Sequence, residues 1–104
     1  MLEKYNAIRR ASRGIRIGGV TIGGQSPIAV QSMTNTDTLD IAATVAQVRA
    51  LADAGCDIVR ITAPTVEAAK TFAAVKEAGI TVPLVADIHF DYRVALACVD
   101  AGVD

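Results

Sequence analysis

The sequence predicts an α/β fold: an N-terminal β-hairpin followed by three βα units, which together form part of a TIM (β/α)₈ barrel. Two observations carry this prediction. Apolar, strand-like runs alternate three times with stretches of helical periodicity that end at glycine, and such alternation is typical of a parallel sheet with helical crossovers. A complete barrel takes ~250 residues, so 104 residues supply less than half of one.

The N-terminal region divides into an arm and a hairpin. Residues 1–13 show no useful period and are predicted to form an N-terminal arm, and residues 14–104 the first part of a TIM-barrel substrate-binding domain. Within 15–24, apolar residues alternate across the pair Gly18-Gly19, a strong hairpin signal. We expect this hairpin to cap one end of the fold.

The first βα unit is assigned to residues 28–54. Its strand runs from Pro27 to Met33, and a loop rich in Ser, Thr, Asn and Asp follows, residues that favour helix N-caps. A helix is predicted from about Asp40 to Ala54 because apolar side chains recur on one stripe and a glycine follows. The stripe consists of Ile41, Val45, Val48 and Ala52.

The second and third units are assigned to residues 57–78 and 83–101. In the second strand, Val59 and Ile61 should face the helices, which turns Arg60 and Thr62 to the opposite face. Each strand leads into a helix that ends before a glycine. The second helix has a candidate cap at Thr65, inward residues at Ala68, Phe72 and Val75, and a stop at Gly79; the third runs from Asp91 to Ala101.

The third strand carries the most distinctive polar residues. By alternation, Val85, Asp87 and His89 share one face of the strand, whereas Leu84, Ala86, Ile88 and Phe90 share the other. Two interpretations of Asp87 and His89 remain open: a strand end emerging into solvent, with Asp as a cap, or a site. An imidazole beside a carboxylate can bind phosphate, transfer a proton or ligate a metal, and the spacing alone does not choose.

Arg60 also allows two interpretations. An inward guanidinium requires an anionic partner, so Arg60 either forms an ion pair with Asp87 or captures phosphate through its forked donors. The two are compatible. On the first strand, Met33 should point inward and Ser32 lie at the rim, where hydroxyl groups either contact phosphate or, as we favour, cap the following helix.

Composition excludes several classes of protein. Hydrophobic residues make up 52% of the chain and the net charge is −1, which argues against disorder, nucleic acid binding and attachment to an anionic membrane. No apolar run approaches the ~20 residues of a membrane span. Cys56 and Cys98 lack metal-type spacing. We interpret them as buried free thiols, which suggests a reducing, cytoplasmic setting.

An internal echo bears on how the barrel continues. The pattern Asp-Ala-Gly-x-Asp occurs at residues 53–57, directly before the second strand, and again at 100–104. By analogy, a fourth strand should begin after Asp104, and we interpret the chain as an N-terminal fragment. Outer strands rich in Val, Ile and Leu would then have unpaired edges, so we expect the chain to be a homo-oligomer.

Three stretches identify a family. Residues 28–36, 54–60 and 83–93, which include the runs Q-S-M-T-N-T and V-A-D-I-H-F-D-Y-R, resemble 4-hydroxy-3-methylbut-2-enyl diphosphate synthases of the non-mevalonate isoprenoid pathway. The similarity extends in register from about Arg9 to Asp104. Those two runs are specific to the family, whereas the βα periodicity is not.

The resemblance implies a reaction and a set of substrate contacts. The family reductively opens 2-C-methyl-D-erythritol 2,4-cyclodiphosphate, using a [4Fe-4S] cluster and an electron donor such as flavodoxin or ferredoxin. Cluster ligands, three Cys and a Glu, would lie in a C-terminal domain outside this chain, so the chain should bind no cluster and be inactive alone. Implied substrate-binding residues are Arg60, Asp87, His89, Ser32 and Met33.

Two other functions compete with this one. Asp87 and His89 could serve a metal-dependent or phosphate-binding TIM-barrel enzyme, although two ligands without a third make a weak metal site. The chain could also be an inert βα module.

Overall fold

A computed structural model describes residues 10–104, and residues 1–9 of the predicted arm lie outside this range. The predicted α/β class and element order are confirmed. Within residues 10–104, five strands and three helices occur in the order β1 (Ile15–Ile17), β2 (Val20–Ile22), β3 (Gln31–Met33), α1 (Ile41–Asp53), β4 (Ile58–Thr62), α2 (Ala69–Glu77), β5 (Leu84–Asp87) and α3 (Tyr92–Asp100).

The strands form two sheets. β1 and β2 pair antiparallel, with Ile17 opposite Val20, and Gly18 takes a positive φ in the turn between them, as the Gly-Gly pair predicted. β3, β4 and β5 form a parallel sheet in sequence order. The hairpin lies at the amino ends of these parallel strands. Its turn residue Gly18 is close to Pro83, directly before β5, and to Asp104: a Cβ atom at Gly18 would lie 3.1 Å from both.

One face of the parallel sheet carries all three helices and the core. The sheet contributes Val59, Ile61 and Leu84, which are fully buried. The helices cover them with side chains from α1, α2 and α3 in one continuous cluster. These are Val48 from α1, Phe72 and Val75 from α2, and Val94 and Cys98 from α3. Helices on one face of a parallel sheet are the arrangement that consecutive βα units of a barrel adopt.

The start of α1 differs from the prediction in two respects. Its N-cap is Asp40, whose carboxylate accepts from the Ala43 backbone N–H at 3.1 Å, so the hydroxyl groups of the preceding loop do not cap the helix. Ile41 is exposed rather than inward, and Thr44 is buried in its place. Thr44 suits the interior because its hydroxyl group donates to the Asp37 carbonyl and also bonds the Thr36 hydroxyl.

Two strands are shorter than predicted. The segment before Gln31 lies outside β3, and Ile28 and Val30 in it are exposed. β5 ends at Asp87, so the alternation predicted through His89 and Phe90 is wrong beyond that residue. A tight turn interrupts the strand there, and Phe90 adopts a φ of 65°.

Two aspartates from the internal echo make the same pair of contacts at the amino ends of the parallel strands. The Asp57 carboxylate accepts from the Val30 N–H at 2.8 Å, while the Asp57 N–H donates to the Val30 carbonyl. Asp104 does the same with Leu84, at 2.9 Å and 3.1 Å. Each aspartate is therefore fixed to one residue at the amino end of the sheet by two hydrogen bonds: Asp57, directly before β4, to the residue before β3, and Asp104 to the first residue of β5.

This arrangement predicts a specific stability effect at Asp57. Asp57→Ala should lower the free energy of unfolding by about 1.5–3 kcal/mol, the scale for one hydrogen bond to a charged acceptor. Asp57→Asn keeps an acceptor and should recover most of that loss. Asp53→Ala, at the exposed end of α1, is the matched control. Urea denaturation followed by circular dichroism measures all three, and equal midpoints for the two alanine variants would contradict the assignment.

Candidate functional site

The candidate site lies on the face of the parallel sheet opposite the helices. In the sheet register, Met33, Arg60 and Val85 lie side by side, and Thr62 lies beside Asp87 one step further along. Because side chains alternate, the burial of the β4 residues on either side of Arg60 directs its guanidinium away from the helices. The predicted orientation of Arg60 is therefore confirmed.

Three predicted residues meet at one carboxylate oxygen. Asp87 Oδ1 accepts from Arg60 Nη2 at 3.1 Å and lies 3.3 Å from His89 Nε2. The Asp87 side chain is largely buried at 15% exposure, whereas the side chains of Arg60 and His89 are 41% and 63% exposed. The carboxylate is thus the least exposed of the three groups, and the two nitrogen-bearing groups face the open side.

Arg60 has the largest effect on the ionisation of Asp87. Its hydrogen bond to Asp87 is the main reason that the pKa of this carboxyl lies below its usual value of 3.8, with a smaller contribution from the nearby His89 and opposition from partial burial. Asp87 is therefore ionised at neutral pH. The ion pair proposed from the sequence exists in the folded chain.

This geometry suits an anion better than a cation. A guanidinium with exposed donors beside an imidazole presents hydrogen-bond donors to a phosphate oxygen. A metal ion at Asp87 would compete with Arg60 for the same oxygen and lie close to its positive charge. Within residues 10–104, no group of three or more His, Cys, Asp and Glu side chains is placed to hold a metal ion.

The other two predicted contacts lie on different faces. Met33 is beside Arg60 in the register, with an exposed side chain on the open face. Ser32 pairs with Val59, and therefore its side chain projects to the helix-covered face, away from Arg60. The structure thus groups Met33 with Arg60, Asp87 and His89 and separates Ser32 from them. The roles of all five in binding remain predictions.

Hydrogen bonds that the sequence did not reveal hold the loop between β3 and α1 over the end of β4. The Thr38 hydroxyl donates to the Thr62 carbonyl at 2.6 Å, and the Thr71 hydroxyl from α2 donates to the Thr38 carbonyl at 2.6 Å. At the other end of the loop, the Thr34 N–H donates to the Arg60 carbonyl. Only the clustering of threonine in this loop hinted at such a role.

A second feature missed from the sequence is the turn that positions His89. The Asp91 N–H donates to the His89 carbonyl at 2.8 Å, which closes a three-residue γ-turn centred on Phe90. Asp91 then caps α3 by accepting from the Arg93 N–H, and its carboxylate also binds the Arg93 side chain. This second ion pair lowers the pKa of Asp91 and raises that of Arg93.

The opposite end of the sheet contains a cavity of about 410 Å³ that none of these residues lines. Its walls include Arg49, Cys56 and Asp57. Both cysteines are free; Cys98 is fully buried, and burial raises the pKa of its thiol, whereas Cys56 is only partly buried. Amino ends of the strands in a TIM barrel serve stability rather than chemistry, so we assign the candidate site to the carboxyl ends despite this cavity.

Parallel strands with helices on one face and a charged cluster at their carboxyl ends define the chain as part of a TIM-barrel domain. Comparison with models of protein families identifies the family of this domain. The chain belongs to the GcpE TIM-barrel domain family, whose model matches residues 12–104. The resemblance indicated by the sequence motifs is therefore confirmed.

Individual relatives carry one name. The chain is 61% identical over 97 residues to the 4-hydroxy-3-methylbut-2-en-1-yl diphosphate synthase (flavodoxin) of Pseudomonas aeruginosa strain LESB58, which covers 93% of the chain. Proteins of the same name from Hahella chejuensis and a Marinomonas species are 59% and 58% identical over 96 residues, or 92% of the chain. The chain spans 26% of the length of these curated relatives.

The ion pair at Asp87 predicts an acid-dependent loss of stability. Because the folded-state pKa of Asp87 is lowered, the pair stabilises the folded chain above pH 3.8 and loses this contribution as the pH falls below that value. Asp87→Asn should therefore reduce the urea midpoint at pH 7, and the difference from the unsubstituted chain should disappear in acid. Asp100→Asn, at an exposed position of α3, should leave the urea midpoint unchanged both at pH 7 and in acid. A pH-independent difference would contradict the ion-pair explanation.

His89 predicts a contribution to anion binding. Its Nε2 lies 3.3 Å from Asp87 Oδ1, next to the Arg60 guanidinium, so its ring can donate a hydrogen bond to a phosphate oxygen. His89→Ala should therefore weaken binding of inorganic pyrophosphate by about 0.5–1.5 kcal/mol, the scale for one hydrogen bond. Calorimetry at a single pH measures both Kd values, and an unaltered Kd would remove His89 from the site.

Proposed function

We propose that the chain forms part of the substrate site of a 4-hydroxy-3-methylbut-2-enyl diphosphate synthase and binds the diphosphate of a cyclic substrate. The observation that carries this proposal is the Arg60 guanidinium on the open face, held beside His89 by the less exposed Asp87 carboxylate. The names of the relatives support it, since their product is a diphosphate. The substrate would be 2-C-methyl-D-erythritol 2,4-cyclodiphosphate, opened by two-electron reduction.

The arrangement suits binding more than bond cleavage. Phosphate oxygens approaching the open face would meet Arg60 and His89, and Asp87 would keep both side chains oriented while it balances their charge. Arg60 can turn part of its fork to a ligand and retain contact with Asp87 through the rest. Met33, beside Arg60 on the same face, would border the bound phosphate group.

A [4Fe-4S] cluster is the cofactor implied for the whole enzyme, and the cysteines in this chain do not suit it. Cys98 is fully buried among apolar side chains of the helix-covered face, and burial keeps it a thiol. Cys56 lines the cavity at the opposite end of the sheet from Arg60. Clusters are held by several converging thiolates, so we expect the ligands elsewhere in a longer protein. When bound, the cluster would supply the two electrons.

The partner and cellular setting are part of the same proposal. The relatives' names include flavodoxin, and we take a flavodoxin-type protein as the electron donor of the complete enzyme. No helix within residues 10–104 is long and apolar enough to cross a membrane. The free thiols suggest the reducing environment of the cytoplasm.

Binding of inorganic pyrophosphate to the 104-residue chain tests the role of Arg60. Arg60→Gln should weaken binding by about 1.5–3 kcal/mol, roughly ten- to a hundredfold in Kd, because it removes a charge-assisted hydrogen-bond donor. Arg49→Gln is the matched control: Arg49 donates to the Ala78 carbonyl and lines the cavity at the opposite end. Isothermal titration gives both affinities.

Stability must be measured alongside, because Arg60→Gln also removes the ion-pair partner of Asp87 and leaves His89 as its remaining side-chain neighbour. A normally folded Arg60→Gln variant with unaltered Kd would exclude Arg60 from the site. An equal loss of affinity in Arg49→Gln would show that the effect is one of net charge rather than of position.

The 104-residue chain should show no turnover of the cyclodiphosphate, even with a strong chemical reductant, because its cysteines do not form a cluster site. Phosphorus NMR of the substrate measures this directly. The full-length Pseudomonas aeruginosa relative, assayed in parallel with its cluster, is the positive control. Ring opening by the purified 104-residue chain would overturn the expected division between substrate site and redox centre.

A further inference from the structure

Phe90 combines two unfavourable features at the edge of the candidate site. It is the single non-glycine residue with a positive φ in the part of the chain that the structure describes, at 65°. Its side chain has a relative exposure of 107%, that of a fully solvated ring. A left-handed backbone disfavours every residue with a Cβ atom, and a solvated phenyl ring gains nothing from burial.

The chain itself shows what such a turn ordinarily uses. Each of the other positive-φ positions among residues 10–104 is a glycine, including the stops of all three helices. The γ-turn that directs His89 toward Asp87 depends on backbone atoms, the His89 carbonyl and the Asp91 N–H, and glycine would form it with less strain. Neither the turn nor the core therefore accounts for a phenyl ring at position 90. Strain retained at such a position is typical of functional sites.

The location of the ring indicates what it could contact. The centroids of the His89 and Phe90 rings are 6.0 Å apart, with planes tilted by 41°. His89 in turn lies 3.3 Å from the carboxylate that also holds Arg60. An apolar ring thus adjoins a cluster of phosphate-binding donors at the carboxyl end of β5. This pairing suits a ligand with an anionic end and a hydrocarbon end.

We propose that Phe90 is a specificity-determining residue that packs against the hydrocarbon portion of an organic diphosphate whose phosphates are held by Arg60 and His89. The inference rests on the proposed function and extends it from the phosphate group to the carbon skeleton. Inorganic pyrophosphate offers nothing for the ring to contact. An organic diphosphate would bury part of its apolar surface against the ring, and this burial would increase its affinity.

The test compares two ligands on the 104-residue chain by NMR titration: inorganic pyrophosphate and a short branched-chain alkyl diphosphate. The unsubstituted chain should bind the alkyl diphosphate more tightly. Phe90→Gly removes the ring and eases the turn, so the fold should be retained. It should reduce the preference for the alkyl diphosphate, measured as the ratio of the two Kd values, by roughly three- to tenfold. Tyr92→Ala, which removes a nearby exposed aromatic ring, should preserve the preference.

The outcomes separate this inference from the function on which it rests. If neither ligand shifts the resonances of Arg60 or His89 in the unsubstituted chain, the proposed function fails and the role of Phe90 fails with it. If both ligands bind there but Phe90→Gly leaves their Kd ratio unchanged, or Tyr92→Ala reduces it equally, the role of Phe90 alone is overturned. An unchanged ratio together with altered self-association would assign the ring to a protein contact instead, and would equally overturn it.

Discussion

The burial of one face of β4 is the constraint on which the rest of the structure depends. Val59 and Ile61 are fully enclosed by the helices, and burying two such side chains contributes about 1.5–3 kcal/mol each. Because strand side chains alternate, this burial directs Arg60 and Thr62 to the opposite face of the sheet. A one-residue slip would exchange the faces and place a guanidinium under the helices, at a prohibitive desolvation cost. Core packing and the position of the charged cluster are therefore consequences of one register.

That register is reinforced at both ends of the sheet, with different results. At the amino ends, Asp57 and Asp104 each bond one residue of a neighbouring strand through backbone and carboxylate together. At the carboxyl ends, Thr38 and Thr71 connect the loop after β3 to β4 and α2. The first set of contacts stabilises the amino ends of the sheet, and the second holds the loop that borders Arg60. The proposed binding residues thus lie at the opposite end of the sheet from these aspartate contacts, as in TIM barrels generally.

The three side chains of the charged cluster differ in exposure. Asp87 is the least exposed of the three groups and takes both nitrogen donors on one oxygen, so the positions of Arg60 and His89 depend on a group that a ligand would not displace. This carboxylate remains ionised because Arg60 lowers its pKa. A γ-turn of unusual sequence brings His89 back toward the same oxygen. Hydrogen-bonded backbone therefore carries both exposed side chains: Arg60 stands on a paired strand and His89 on a closed turn. Side chains held in this way lose less freedom when a ligand binds.

The sequence by itself determined the features that depend on local periodicity: the hairpin at Gly18, the three helices with their glycine stops, and the face to which Arg60 points. It also placed Arg60 and Asp87 on one face of adjacent strands, because their positions follow from alternation. The turn that returns His89 to the same carboxylate lies beyond the end of β5 and was not predicted. Tertiary structure alone decided the exposure of Ile41 and the contacts of Asp57 and Thr38. These contacts join residues 27 and 24 positions apart, and no local pattern encodes such a bond, since its formation requires strands and helices already packed at the correct distance.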